Sequence, residues 1–193
     1  MLATLLFMNG CTSIQSKNKT IPTNPSAHQQ HLATLNSIKS FALKGRLGVV
    51  TQQKGFSGSI QWQHLSEADD ISIYSPLGAK IANIAKNRTG VTLTSQDGKR
   101  FQAIDAESLT ENTLGFRLPL ADLSDWVLGK PGLNKIDALS TNELGGIITF
   151  KQDGWVISYE NYIEIDSVSL PTRISLKSEK VNLKIIIERW INL

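Results

Sequence analysis

The chain has 193 residues, of which 40% are hydrophobic and 19% charged, with a formal net charge of +3 at pH 7. This size and balance suit one globular domain with a short tail, and they exclude a fibrous or largely disordered chain. Lysine and arginine are spread along the chain without forming a run, which argues against a nucleic-acid partner. No stretch contains about 18 consecutive apolar residues, the length that a membrane-spanning helix needs.

The N-terminal residues have the pattern of a bacterial lipoprotein signal peptide. An apolar run over residues 1–8 is followed by Asn9, Gly10 and the single cysteine, Cys11, which such a peptide places at the site of lipidation. The run is short and no Lys or Arg precedes it, which a start codon placed too late would explain. We predict a signal peptide over residues 1–10, truncated at its start, with Cys11 as the lipid anchor. The alternative is an apolar terminus with a chance cysteine.

The next segment has the composition of a flexible tether. From Thr12 to Ala27 it consists mostly of Ser, Thr, Asn, Lys and Pro, which bury too little apolar surface to offset the entropy of ordering. We predict a lipidated tether over residues 11–26 and one folded domain over residues 27–193. The cysteine is followed by Thr12 and not by the Asp that commonly retains bacterial lipoproteins in the inner membrane. The expected location is therefore the periplasmic face of the outer membrane.

A helix and a series of strands follow the tether. Ser26 and Gln29 form a capping-box pattern before apolar residues at helical spacing, which predicts a helix over residues 27–39. Apolar and polar residues then alternate with the period of a strand, and short turns such as Pro76–Gly78 indicate an antiparallel sheet. The predicted strands of this part cover residues 41–49, 56–63, 71–75, 79–86 and 91–94.

Two helices interrupt the strands in the middle of the chain. A polar helix is expected over residues 105–113, and Pro119 opens a second helix that Gly129 and Pro131 end. The apolar stripe of the second helix consists of Leu120, Leu123, Trp126 and Val127. Strand alternation resumes over residues 146–151, 155–159, 173–177 and 181–190.

These elements predict a mainly β fold with α, in an α+β arrangement. A large antiparallel sheet buries one face, and here only three modest helices are available to cover that face. A curved sheet under a helical lid satisfies this requirement and leaves an apolar hollow between the two layers. A fully packed core satisfies it as well, and periodicity does not separate these alternatives.

No enzyme site emerges from the motifs. The chain has no G-x-S-x-G, P-loop or G-x-G-x-x-G motif, and no nucleophile, base and orienting group can be named together. His28 and His31 lack a neighbouring Cys, Asp or Glu to complete a metal site, so we interpret them and His64 as solvated surface residues. Asp69 and Asp70 are adjacent at the start of a strand, where neighbouring side chains point to opposite faces, so they are not expected to act as a catalytic pair of carboxylates. We interpret them as a solvated turn. We expect no catalysis, no metal and no cofactor.

Two apolar features bear on function. The tryptophans lie in strand or helix stripes, where core packing is the default interpretation and the lining of a lipid cavity is the alternative. They are Trp62, Trp126, Trp155 and Trp190. We expect the helical tryptophan, Trp126, to touch a ligand. Leu77 lies within a Pro-Leu-Gly turn and is expected at an exposed tip, although a single exposed apolar residue carries little information.

Several short motifs follow one another in a defined order along the chain. They are Lys44-Gly45-Arg46, Trp62-Gln63, Ser75-Pro76-Leu77-Gly78, Asp97-Gly98-Lys99-Arg100-Phe101, Leu118-Pro119-Leu120 with Leu123, Trp126-Val127-Leu128-Gly129-Lys130-Pro131-Gly132, Trp155 with Tyr159, Leu170-Pro171, and Trp190. This set resembles LolB, the family of outer-membrane receptors in the bacterial lipoprotein-sorting system, over about residues 27–192. The soluble carrier of that system shares the fold but has no lipidated cysteine, so Cys11 favours the receptor.

The resemblance implies an incomplete, curved antiparallel β-barrel closed by helices around an apolar cavity that holds the acyl chains of a lipoprotein. It also implies that cargo comes from the periplasmic carrier and passes to the outer membrane without nucleotide hydrolysis. Leu77 is then the tip that helps cargo enter the membrane. We expect a monomer with no nucleic-acid partner. The candidate cavity residues are Phe41, Leu43, Ile60, Trp62, Ile73, Leu123, Trp126, Val127 and Trp155.

Two other functions stay open from the residues themselves. One is a structural or assembly lipoprotein of the outer membrane, with a solid core, that binds a protein partner without lipid transfer. Binding of a fatty-acyl probe separates this function from the receptor, since a solid core takes up little probe. The other is an enzyme acting on lipid or cell wall, for which no catalytic set is present in the sequence.

Overall fold

The computed structural model describes residues 23–114 and 117–193, which form three helices and one antiparallel sheet of eleven strands. The predicted signal peptide, Cys11 and the tether up to residue 22 lie outside the described residues. The helices are α1 (Pro25–Ser37), α2 (Ala106–Leu114) and α3 (Leu120–Leu128). The strands are β1 (Ser40–Thr51), β2 (Gly55–Leu65), β3 (Ala68–Tyr74), β4 (Lys80–Asn87), β5 (Gly90–Ser95), β6 (Arg100–Ala103), β7 (Ile136–Thr141), β8 (Ile147–Gln152), β9 (Trp155–Ile165), β10 (Val168–Lys177) and β11 (Val181–Asn192).

Helix α1 begins before the position that the sequence pattern indicated. Asn24 is its N-cap, and the side-chain Oδ1 of Asn24 accepts a hydrogen bond from the Ala27 amide at 3.2 Å. Pro25 occupies the first turn, where its missing N–H costs no helical hydrogen bond. The predicted capping box of Ser26 and Gln29 is therefore wrong, because the asparagine and proline before it already begin the helix.

The strands follow one another as antiparallel neighbours on either side of a central pair, β1 and β11. From edge to edge the order is β6-β5-β4-β3-β2-β1-β11-β10-β9-β8-β7. The edges are thus β6 and β7, and within the described residues no pairing joins them. The sheet is an open, curved barrel accompanied by helices, which confirms the predicted fold class.

Sequence alternation missed both edge strands. β6 has only 4 residues, and most of them are exposed, so this strand has no buried face that could produce a pattern. β7 shifts its register against β8 between Ile136 and Ala138 and again between Ser140 and Thr141, and each shift breaks the alternation. Short or irregular edges also discourage pairing with other chains, which makes such strands common at the margins of sheets.

Helix α3 has the bounds that its proline and glycine predicted. Pro119 is the N-cap, and Gly129 is the C-cap with a φ of 89°, a left-handed conformation that glycine adopts without strain. The Gly129 amide donates to the Trp126 carbonyl oxygen at 3.0 Å and completes the end of the helix. Helix α2 packs against β5 and β6, whereas α1 packs against β10. In the part of the chain that the structure describes, no helix has the length and hydropathy needed to cross a membrane.

Candidate functional site

An apolar cavity of about 460 Å³ lies between the inner face of one half of the sheet and the start of α3. Strands β1 to β5 and β11 form its wall, and Leu118 and Leu123 close it from the helix side. Thr51 and Lys54 are the polar side chains of its lining. The apolar side chains of the sheet that line it are Leu47, Val49, Phe56, Ile60, Trp62, Ile71, Ile73, Ile81, Ala82, Ile84, Leu93, Leu183 and Ile185.

Strand register brings the apolar side chains of the wall together. Trp62 on β2 lies opposite Ile71 on β3, Ile71 lies opposite Ile84 on β4, and Ile84 lies opposite Leu93 on β5. In each strand every second side chain points inward, and these residues are among the inward ones. Because they also lie opposite one another, they form one apolar row across the adjacent strands. Aliphatic side chains dominate this wall, and they leave space between the sheet and α3.

Part of the predicted cavity set lines this cavity, and part does not. The lining members are Ile60, Trp62, Ile73 and Leu123. The members that are buried elsewhere in the core are Phe41, Leu43, Trp126, Val127 and Trp155. Ile84 and Leu93 also line the cavity but were not among the predicted residues. They share the inward phase of their strands, so extending the alternation to β4 and β5 could have identified them. The contact of any of these residues with cargo stays a prediction.

Trp126 lies outside the cavity lining, in a solid part of the core. Its indole Nε1 donates to Gln152 Oε1 at 3.0 Å, and the Tyr159 hydroxyl donates to its carbonyl oxygen at 2.7 Å. Its ring centroid lies 6.2 Å from that of Phe150 and 6.1 Å from that of Trp155. The ring that we expected to touch a ligand is therefore enclosed by other side chains of the protein.

A buried ionic cluster adjoins the cavity at Trp62. Asp69 Oδ1 accepts a hydrogen bond from Trp62 Nε1 at 2.9 Å and lies 2.7 Å from His64 Nδ1, while Asp69 Oδ2 accepts from Lys86 Nζ at 3.2 Å. Burial raises the pKa of Asp69, but these hydrogen bonds and the charges of His64 and Lys86 outweigh burial and hold the pKa below its ordinary value. The interpretation of Asp69 as part of a solvated turn is wrong, because β3 turns this side chain inward and only Asp70 outward.

The interpretation of the histidines as solvated surface residues is also wrong. His28 is buried where α1 meets the sheet, with Nδ1 2.7 Å from the Gly145 carbonyl oxygen. His64 stacks on Phe41, with 5.0 Å between the ring centroids. His31 is half-buried, and burial together with the nearby His28 lowers its pKa. Across residues 23–114 and 117–193, no group of three or more His, Cys, Asp or Glu side chains could hold a metal ion.

Leu77 is 98% exposed at the tip of the turn between β3 and β4. The Ser75 amide donates to the Ala79 carbonyl oxygen at 2.8 Å, and the Gly78 amide donates to the Ser75 carbonyl oxygen at 2.9 Å. Gly78 has a φ of 87°, which permits this tight bend without strain. The turn therefore holds an apolar side chain in water at a defined position, and the role of that side chain at a membrane stays a prediction.

The Leu77 turn and the polar part of the cavity lining lie at the same end of the sheet. Lys54 belongs to the turn between β1 and β2, and the antiparallel pairing of β2 with β3 brings the start of β2 next to the end of β3. We call this end of the sheet, which carries Thr51, Lys54 and Leu77, the Leu77 end. A cavity that is apolar inside and polar at one end suits a ligand with a hydrocarbon part and a polar part.

The fold is shared with a solved structure, that of a LolA superfamily protein from Nitrosomonas europaea. The two structures agree with a TM-score of 0.50 over 86% of this chain and 93% of that chain, at 12% sequence identity. At so low an identity, the likeness concerns the fold alone.

Sequence relatives and a family model identify the family. The family model described as outer membrane lipoprotein LolB matches residues 39–190. The outer-membrane lipoprotein LolB of Nitrosomonas europaea is 32% identical over 195 residues, which cover 98% of this chain and 90% of that protein. The protein of the same name from Chromobacterium violaceum is 35% identical over 153 residues, which cover 78% of this chain and 79% of that protein. The chain therefore belongs to the LolB family of outer membrane lipoproteins.

Proposed function

We propose that this chain is an outer-membrane lipoprotein receptor. It accepts lipoproteins from a periplasmic carrier by binding their acyl chains in the apolar cavity, and it inserts them into the outer membrane. The observation that carries the proposal is the apolar cavity with an exposed leucine, Leu77, at one end of the sheet that lines it. Membership of the LolB family supports the location in the outer membrane.

The size and lining of the cavity suit acyl chains. Its volume of about 460 Å³ falls within the roughly 300–1,000 Å³ of protein pockets that bind small ligands. Each methylene that moves from water into an apolar environment contributes about 0.8 kcal/mol. This contribution is not directional, so one cavity accepts the acyl chains of many different lipoproteins. Transfer then requires only that this cavity bind the chains more tightly than the carrier does, without nucleotide hydrolysis.

Leu77 acts in the proposed release step. Leu77 is 98% exposed, so replacing it changes the free energy of unfolding of the protein only slightly, and the fold does not require a leucine at this position. At a membrane, the same side chain moves from water into the boundary between headgroups and acyl chains, which is favourable for an apolar group. The turn thereby brings the Leu77 end, and with it the polar part of the cavity lining, against the membrane surface.

We further propose that Cys11 carries the lipid anchor, that residues 1–10 are the signal peptide and that residues 11–26 form the tether on the periplasmic face. The pattern of these residues in the sequence supports this proposal. The lipoprotein-binding domain over residues 27–193 acts as a monomer, and helix α1 extends it to Pro25. Anchoring keeps the receptor at the target membrane while the domain meets the carrier.

The test is the transfer of cargo between two proteins. The chain carrying Cys11→Ala, which removes the candidate lipidation site, is mixed with the carrier of the same organism loaded with a lipoprotein, and each protein is then pulled down separately. Cargo that moves onto this chain supports the receptor. Cargo that stays with the carrier, while circular dichroism shows this chain to be folded, contradicts it and favours a structural lipoprotein that binds a protein partner.

A further inference from the structure

Trp62 contributes the one indole ring of the cavity wall, and its N–H is directed out of the cavity. The residue is only 1% exposed, and Nε1 donates to Asp69 Oδ1 at 2.9 Å. Asp69 is not among the residues that line the cavity. An indole N–H that faced hydrocarbon without an acceptor would cost about 1–3 kcal/mol, so its direction decides how polar the wall is.

Asp69 is held in place by the strands on both sides of it. It lies opposite His64 on β2 and opposite Lys86 on β4, in the row next to that of Trp62. Its side chain is fully buried, whereas the side chains of His64 and Lys86 are 14% and 25% exposed. These two residues therefore fix the carboxylate and compensate its charge from the solvent side, while Trp62 meets it from the cavity side.

We infer that Asp69 is a positioning residue that turns the N–H of Trp62 away from the cavity and so makes the cavity selective for unsubstituted acyl chains. This inference rests on the proposed function, since it assigns the ligand class of the same cavity. It follows from the direction of one hydrogen bond, because the N–H is bonded to Asp69 and only carbon atoms of the ring are left to line the cavity. A chain with a hydroxyl group finds no partner in this part of the wall and loses its hydrogen bonds to water.

An ionised carboxylate suits this role better than a neutral polar group. A carboxylate only accepts hydrogen bonds, so Asp69 offers Trp62 an acceptor whichever of its oxygens faces the ring, whereas an amide does so in only one of its two orientations. The lowered pKa of Asp69 agrees with an ionised group at neutral pH. Hydrogen bonds to charged acceptors are also stronger than those between neutral groups, so the ring is held more firmly.

The experiment measures selectivity between two probes of equal length, palmitate and a hydroxypalmitate with its hydroxyl in the middle of the chain. The chain with Cys11→Ala is the reference, and Asp69→Leu removes the acceptor. We expect the reference to bind palmitate more tightly, and we expect Asp69→Leu to reduce this preference about tenfold because the free N–H becomes a partner for the hydroxyl. Asp70→Asn, on the same strand but facing outward, is the matched control and leaves the preference unchanged.

Two further variants separate positioning from a purely structural role. Asp69→Asn keeps an oxygen acceptor for Trp62 but removes the negative charge, so we expect lower stability with the preference for palmitate retained. Trp62→Phe combined with Asp69→Leu removes donor and acceptor together, so we expect the preference to return. An Asp69→Leu variant with the selectivity of the reference overturns the inference, as does a double variant that keeps the altered selectivity.

The inference and the proposed function fail in different ways. A folded reference chain that binds neither probe contradicts acyl binding itself. If Asp69→Leu alone does not fold, its stability is compared with that of the double variant that carries Trp62→Phe and Asp69→Leu. A double variant that folds then shows that the N–H of Trp62 needs the acceptor, as the inference requires. A double variant that is equally unfolded shows that Asp69 serves only the ion pairs with His64 and Lys86, which overturns the inference.

Discussion

The two halves of the sheet cover their apolar inner faces in different ways. In the hollow half, β2 to β5, the inward side chains are mainly isoleucine and leucine, and they leave a cavity of about 460 Å³. In the solid half, β8 to β10, rings pack on one another with centroid separations of 6.1 to 6.2 Å. These rings belong to Phe150, Trp155 and Tyr159, together with Trp126 of α3. Helix α3 serves both halves, because its Leu123 lines the cavity.

This difference shows how one fold combines stability with a binding space. Protein interiors are normally close-packed, and unfilled apolar space lowers stability because its lining lacks contacts. The solid half compensates with aromatic rings, each of which buries a large apolar area. The hollow half keeps its space available, which the proposed uptake of acyl chains explains.

Each half also satisfies one tryptophan N–H, but with different chemistry. In the solid half, Gln152 accepts from Trp126 and donates to the carbonyl oxygens of Gly132 at 3.2 Å and Asn134 at 2.6 Å. In the hollow half, the charged Asp69 accepts from Trp62. A neutral amide thus holds the ring that is enclosed by protein, and a carboxylate holds the ring that lines the cavity.

Truncation in the solid half is expected to have the largest effect on stability. Trp126→Ala removes a fully buried ring and its bond to Gln152, so we expect the free energy of unfolding to fall by about 3–5 kcal/mol. Leu93→Ala, on the cavity wall, is the comparison, and we expect a loss of about 2 kcal/mol because one side of Leu93 already faces unfilled space. Denaturant unfolding followed by circular dichroism measures both. Equal losses would contradict the distinction between the two halves.

Removing the charge of Asp69 is expected to have a smaller effect that depends on pH. Because the folded-state pKa lies below the ordinary aspartate value of 3.8, the ionised group contributes stability that is present above pH 3.8 and is lost as the pH falls through the folded-state pKa. We expect Asp69→Asn to be less stable than the natural chain by about 2 kcal/mol at neutral pH. The gap should close in acid, as measured by urea unfolding over a pH series. A gap that does not vary with pH would mean that Asp69 is not ionised in the folded protein.

A larger side chain is expected to have different effects in the two halves: reduced palmitate binding in the hollow half and reduced stability in the solid half. Ala82→Phe places a ring in the cavity, so we expect a stability change within about 1 kcal/mol and at least about a tenfold loss of palmitate binding. Ile157→Phe enlarges a fully buried residue of the solid half, so we expect a loss of about 1–3 kcal/mol with palmitate binding retained. Calorimetric titration and thermal unfolding provide the two measurements. Unchanged palmitate binding in Ala82→Phe would move the acyl site out of this cavity.

The smallest effect on stability is expected at the Leu77 end. Leu77→Asp should change the free energy of unfolding by less than about 0.5 kcal/mol and leave cargo uptake intact, while it slows the release of cargo into lipid vesicles. Leu144→Asp is the matched control, since Leu144 is 83% exposed in the turn between β7 and β8, at the opposite end of the sheet. Sedimentation of vesicles after mixing measures release. Equal release by the two variants, or loss of uptake in Leu77→Asp, would contradict the proposed role.

The sequence was sufficient where structure depends on near neighbours. Pro119 and Gly129 bounded α3 because each acts through its own backbone conformation. The exposed tip at Leu77 followed from the proline and glycine beside it, for the same reason. Alternation located the longer strands, since a half-buried strand imposes a period of two on its side chains. The edges β6 and β7 were missed because they are short or irregular and produce no such pattern.

Only the tertiary structure decided which buried residues face the cavity. Trp62 and Trp126 have the same side chain in comparable apolar stripes, yet Trp62 lines the space and Trp126 is enclosed by other rings. Likewise, the burial of Asp69 depends on Trp62, His64 and Lys86, which lie on neighbouring strands and satisfy its carboxylate. By itself, the sequence determined the elements, the turns and the apolar face of the sheet. Whether the space opposite that face is filled depends on side chains distant in the chain, and no local pattern encodes their packing.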